Sequence, residues 1–298
     1  MTITYIKSLQ VANILGEGVL WDDIAQIIWW TNIEGIRFFS YNFLTGELLS
    51  YPLPERLCSF AMIEDSSLFL GAFETGLAQF DPKKQSIDWI EKIYTKGCGT
   101  RLNDGRVGPK GQFWVGAMLE DGGSDVKARI PANLFCFSRK RQLSIKETDI
   151  QISNSLSWSL DGSTLYFADS PKNTIYSYDV DPKTDDLTNK RVFAQTAKGV
   201  HPDGSCIDAQ GFLWNAQWGA GQVVRYAPDG RIDLTLDIPC FQPTCVSFAG
   251  EELDYLVVTS ARLGITPENK LEHPESGNVF IYKTTFKGLK EKRFRFDD

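Results

Sequence analysis

Four short stretches carry side chains that could do chemistry together: Gly16-Glu17-Gly18, Arg101-Leu102-Asn103-Asp104-Gly105, Ser153-Asn154-Ser155 and Pro202-Asp203-Gly204. They offer carboxylates (Glu17 and Asp203, with Asp104 beside Asn103), two amides (Asn103, Asn154) and a guanidinium (Arg101). Such an oxygen-rich set is the donor type that a hard divalent cation takes. A guanidinium near an amide suits directional hydrogen bonds to a polar ligand. Taken singly, each residue has an ordinary alternative. Glu17 fits a turn, Asn154 can cap one, and His201-Pro202-Asp203-Gly204 reads as another. Their shared position in a repeat is what raises them as a group.

That repeat is a phrase of short β-prone runs separated by turns. It is seen first in Gly16 to Leu48, as runs at Val19–Trp21, Ile27–Thr31 and Ile36–Tyr41. It returns from Ala61 to Phe80, from Arg106 to Phe137, from Ser155 to Leu187, from Gly204 to Ile232 and from Cys245 onward, the last copy having its third run displaced to Asn278–Lys283. The internal turns recur at roughly 40 to 50 residues, the interval of propeller blades. With no sustained helical period, the pattern predicts an all-β fold, one six-bladed β-propeller over residues 1–298. Two stacked sandwiches are the alternative, but they would not repeat one phrase six times. Ile3–Ser8 and Glu291–Phe296 are both expected as outer strands of the blade that closes the ring. The basic residues of the tail are expected to guard its exposed edge. Residues just ahead of each first strand then face a central channel, which gathers Glu17, Arg101 to Asp104, Asn154 and Asp203 from four copies.

Composition narrows the partners. A net charge of −7 over 298 residues argues against nucleic acid. No apolar window is long enough to span a bilayer, and MTITYIKSLQ lacks the pattern of a signal peptide. The six cysteines show no C-x-x-C spacing, so reduced thiols in a cytoplasmic monomer are the expectation.

Gly16-Glu17-Gly18 with Trp21, the Arg101–Gly105 stretch, Asn154 ahead of Leu156-Ser157-Trp158-Ser159, Leu165–Ser170 and Pro202-Asp203-Gly204 occur in an order and spacing that resemble the regucalcin (senescence marker protein)/gluconolactonase family. The resemblance covers almost the whole chain. It implies a six-bladed propeller with one divalent metal in the channel, and hydrolysis of a sugar lactone. On this resemblance Glu17, Asn154 and Asp203 are the metal ligands, Arg101 and Asn103 bind substrate, and Asp121 is a further substrate-contacting carboxylate. Val19 stands where the family often has proline, and Ser155 where it often has glycine; neither change removes a ligand. The run from Asp203 to Gly219, with Gln242-Pro243-Thr244-Cys245, looks closer to the bacterial L-arabinonolactonase-like branch. The metal is not named by its ligands, since Ca²⁺, Mg²⁺ and Mn²⁺ suit an all-oxygen set and Zn²⁺ and Fe²⁺ also occupy such sites.

The expected reaction is hydrolysis of a pentono- or hexonolactone to the aldonic acid, with Asp203 as general base. Trp214, Trp218 and Phe113 are expected in the blade cores. With only His201 and His273 and no Gly-x-Ser-x-Gly elbow, a serine hydrolase is disfavoured. A metal-free glycosidase would need two channel carboxylates, a pair that Glu17 and Asp203 could mimic. A calcium-binding propeller without catalysis is the other alternative; a pure ion binder has no use for Arg101 and Asn103.

Overall fold

The computed structural model describes residues 2–120 and 130–297. It contains six four-stranded antiparallel sheets, arranged as the six blades of a propeller. The inner strands, in blade order, are Gly16–Asp22, Leu57–Met62, Thr100–Val107, Ser153–Trp158, His201–Ile207 and Gln242–Ala249. Burial follows position within the blade. Every residue of the blade-two inner strand is buried, whereas the outer strand Ser86–Lys92 alternates between half-buried and exposed. Sheets stacked face to face need apolar residues on both sides; an outermost strand does not.

The turns hold this repeat in register. Asp22, Asn42, Asp81 and Asp181 each use one side-chain oxygen to accept from two backbone N–H groups just ahead. This is the local chemistry that makes Asx residues turn formers. Between blades the contacts are largely aromatic. Trp29 of blade one meets the edge of Phe69 of blade two with ring centres 4.9 Å apart, and Phe38 meets the edge of Phe60 at 4.7 Å. Phe113 and Trp214 are fully buried, as expected. All six cysteines are unpaired.

The ring closes between the two ends of the chain. Ile3–Leu9 is the outer strand of blade six and pairs with Val279–Thr284 from Ile3↔Thr284 to Leu9↔Val279. The expectation for the opposite terminus needs correction. Glu291–Phe296 forms no strand and makes only one bridge, Phe294 with Ile63. Blade six has no outer edge left, because Ile3–Leu9 already holds it. The tail instead crosses the end of the propeller where the inner strands finish. It bonds Lys287 O to Ala209 N, Met62 O to Phe294 N, and Phe294 O to Glu64 N. Four of its five cations are paired rather than guarding an edge: Arg293 with Asp22 and Asp23, Lys290 with Asp23, Lys287 with Glu252, and Arg295 with Glu64. Glu291 is half-buried at that end of the propeller against Arg106 and accepts from Ser247 Oγ at 3.2 Å. A cavity of about 520 Å³ lies beside this strap, lined in part by Arg106, Trp158 and Glu291. Among the described residues no helix is long and apolar enough to cross a membrane.

Candidate functional site

All five described candidates lie at the starting ends of inner strands, within the first residues of the strands rather than ahead of them. Glu17 is in blade one, Arg101 and Asn103 in blade three, Asn154 in blade four and Asp203 in blade five. Asp121 lies outside the described residues.

A shared backbone irregularity accompanies them. In every blade the pairing between first and second strands slips near the start, between Glu17 and Leu20, Leu57 and Ser59, Leu102 and Gly105, Asn154 and Ser157, Pro202 and Ser205, and Pro243 and Val246. A bulge bends the strand and re-aims the side chain next to it. Gly18 and Ser155, following Glu17 and Asn154, adopt left-handed φ values of 60° and 65°. Glycine does this freely, whereas a serine is strained there. Ser155 gains a partner in return, its hydroxyl lying 2.7 Å from that of Ser205. Gly204 is required for another reason: a Cβ there would stand 2.7 Å from Cys245 Sγ. The inner strands of blades five and six approach too closely for a side chain.

Two groupings result. Arg101, Asn103 and Asn154 form a buried chain of hydrogen bonds. Arg101 Nη1 donates to Asn103 Oδ1 at 2.7 Å, and Asn103 Nδ2 donates to Asn154 Oδ1 at 3.2 Å. Asn154 Nδ2 donates to Ser170 Oγ at 2.9 Å, and that hydroxyl donates to Pro202 O at 2.7 Å, beside Asp203. Each amide oxygen keeps a second lone pair for a ligand. The other grouping is acidic. Glu17 and Asp203 are neighbours close enough to act on one another, with Asp104 acting on both through its charge. Burial, then the charge of Asp104, raises Glu17 to about 8 against the pull of the Gly18 N–H and Arg101. Burial, then the charges of Glu17 and Asp104, raises Asp203 well above the ordinary carboxylate value.

No group of three or more His, Cys, Asp or Glu side chains among the described residues is arranged to hold a metal. The acidic ligand candidates are two, and Asn154 is an amide. Even so, the donor chemistry fits a divalent cation. Removal from water and neighbouring negative charge, Asp104 for Glu17 and both Glu17 and Asp104 for Asp203, resist ionisation of these carboxylates, and a cation relieves both costs.

Sequence reasoning missed several residues of this region. Ser170 lies in a stretch noted for its resemblance, but its link between Asn154 and Pro202 needs the fold. Arg56 stands immediately before the inner strand of blade two. The rule that selected Glu17 points to it as well. Trp218, expected in a core, is only partly buried against one.

Residues 15–262 match a family described as SMP-30/Gluconolactonase/LRE-like region. The chain is 36% identical over 288 residues to an L-arabinolactonase from Azospirillum brasilense, covering 95% of this chain and 92% of that one. It is 30% identical to a 6-deoxy-6-sulfogluconolactonase from Pseudomonas putida, covering 95% of each. Among solved structures it is similar to a calcium-binding protein, regucalcin, from Agrobacterium tumefaciens. That match has a TM-score of 0.88, 30% identity and 98% coverage of each chain.

Proposed function

The chain belongs to the SMP-30/gluconolactonase/LRE-like family, and from that membership we propose that it is a lactonase opening an aldonolactone, pentono- or hexono-, to the aldonic acid. The names of its lactonase relatives support the reaction class. The juxtaposition of the Glu17 and Asp203 carboxylates, beside the Arg101–Asn103–Asn154 chain, carries the reading to this site.

Glu17, Asn154 and Asp203 would hold one divalent ion. Bound there, it supplies Lewis acidity toward the lactone carbonyl. Asp203 takes a proton from the attacking water as the new C–O bond forms, and returns it to the ring oxygen as the ester bond breaks. Arg101 and Asn103 orient the sugar hydroxyls, with Asp121 as a further contact. An ester held by hydrogen bonds in a site flanked by inner strands is presented in one orientation, which is much of what catalysis requires.

Hydrolysis of an aldonolactone panel, with and without chelator, tests the proposal. Activity should vanish with chelator and return with a divalent ion. Glu17→Ala should lose metal and several orders of magnitude in kcat. Arg101→Ala should keep its metal and lose substrate handling, in KM or in kcat according to when the contact tightens. Full activity in chelator, or full metal content in Glu17→Ala, overturns the assignment. The regucalcin neighbour's description as calcium-binding favours a second reading, a calcium binder without catalysis. It predicts bound metal and no hydrolysis of any lactone.

A further inference from the structure

A second set of charges lies close to Arg101 and has no part in the chemistry above. Arg56 gathers three carboxylates. Its Nε donates to Glu74, its Nη1 to Glu34 Oε1 at 3.1 Å and to Glu120 Oε1 at 2.7 Å, and its Nη2 to Glu120 Oε2 at 3.2 Å. Glu34 follows the second strand of blade one, Glu74 that of blade two and Glu120 that of blade three. Arg56 therefore ties three blades together where their turns meet.

Glu120 has a second neighbour. Its Oε1 lies 3.7 Å from Nε of Arg101, a nitrogen with no hydrogen-bond partner among the described residues. Lys96 stands 3.5 Å from Glu74. Three cations, Arg56, Arg101 and Lys96, thus face three carboxylates, Glu34, Glu74 and Glu120, and the charges cancel. Partial burial works against ionisation of Glu120, but the hydrogen bonds and charge of Arg56, with the charge of Arg101, hold it below the ordinary value. It is anionic at neutral pH.

An arginine so countered still donates hydrogen bonds, yet carries little net charge to offer a ligand. A free guanidinium would instead recruit a substrate bearing a carboxylate or sulfonate. We propose that Glu120, locked in place by Arg56, is a specificity-determining residue that cancels the charge of Arg101 and selects uncharged aldonolactones over anionic ones. This rests on the lactonase reading and concerns which lactone is taken.

The experiment compares kcat/KM for an uncharged lactone, galactono-1,4-lactone, with that for an anionic one, glucaro-1,4-lactone, at low and high salt. The unmodified protein should favour the uncharged lactone. Glu120→Gln should raise the anionic-to-uncharged ratio by about tenfold, chiefly through KM, the change expected of one uncompensated charge nearby. High salt should shrink the shift. Glu120→Asp, which keeps the charge, should return the ratio toward its original value. Arg56→Gln leaves excess negative charge and should move the ratio the opposite way. Equal losses for both lactones in Glu120→Gln would make the residue merely structural and overturn the proposal. Shifts of one sign in both the Glu120→Gln and Arg56→Gln variants would also overturn it. If the Glu120→Gln protein does not fold, the Arg56→Gln ratio decides alone. An unmodified protein that opens no lactone overturns the lactonase reading and this proposal with it, whereas an unchanged ratio in an active enzyme overturns only the latter.

Discussion

Glu17 and Asp203 tie the chemistry of the site to the stability of the fold. In the absence of metal, burial and then the charge of Asp104 raise Glu17 from 4.5 to about 8, and burial with the charges of Glu17 and Asp104 raises Asp203 in the same direction. The folded state therefore holds protons that the unfolded chain releases between those values. A raised carboxylate contributes stability that is present below the unfolded value and lost as pH rises through the folded one. Chelator-treated protein should melt at progressively lower temperature as pH goes from about 5 to 8, and Glu17→Gln should flatten that slope. A divalent ion prefers the ionised pair, so the rise in melting temperature on adding metal should grow with pH. Melting temperatures that ignore pH across this range in the metal-free protein would contradict the grouping of these carboxylates. At this scale the sequence was informative where a residue's place in the repeat implied its direction, as for Glu17, Asn103, Asn154 and Asp203. It was silent on Glu34, Glu74 and Glu120, which sit in separate turns and acquire meaning only when three blades bring them to one guanidinium.

At the scale of single elements, turn chemistry and alternation made the blades readable. Only the three-dimensional pairing reveals the recurrent bulge, because the extra residue has no composition of its own: Gly18 fills it in blade one and Ser155 in blade four. The tail was misread because Phe294 and Phe296 alternate with charges, as in an edge strand. An apolar alternation marks a face to bury, not the sheet that will bury it. The turn of blade five shows how much one such element can depend on a single side chain. Asp208 is fully buried and accepts from the backbone of Gln210 and Phe212, from Trp214 Nε1 and from Arg225 Nε. Arg225 is equally buried and lies over the Phe212 ring at 3.6 Å. Asp208→Ala leaves that guanidinium with Asp233 as its one carboxylate partner and deprives three further buried donors of theirs, and should cost about 3 to 5 kcal/mol in chemical denaturation. A loss below ~1 kcal/mol would mean that water or Asp233 replaces the carboxylate.

For the whole molecule, the channel is closed at one end by the strap that carries Glu291. This carboxylate is the partner of Arg106, whose guanidinium also donates to Ser205 O. Glu291→Ala should leave Arg106 without its counter-charge and lower stability by about 2 to 3 kcal/mol, seen as a lower Tm. An unchanged Tm would show that the strap merely rests on the propeller. Replacing the pair together, as Arg106→Met with Glu291→Leu, should recover most of the loss. The other closure, in blade six, has a consequence in time. A ribosome makes Ile3–Leu9 before its partner Val279–Thr284, with five blades between them. Ile3–Leu9 must therefore wait for its partner while five complete blades form behind it. During that wait the nascent chain exposes an unpaired β-segment and an open ring, the kind of species that aggregates or pairs with the wrong neighbour. How long that open species lasts depends on how quickly Val279–Thr284 finds Ile3–Leu9.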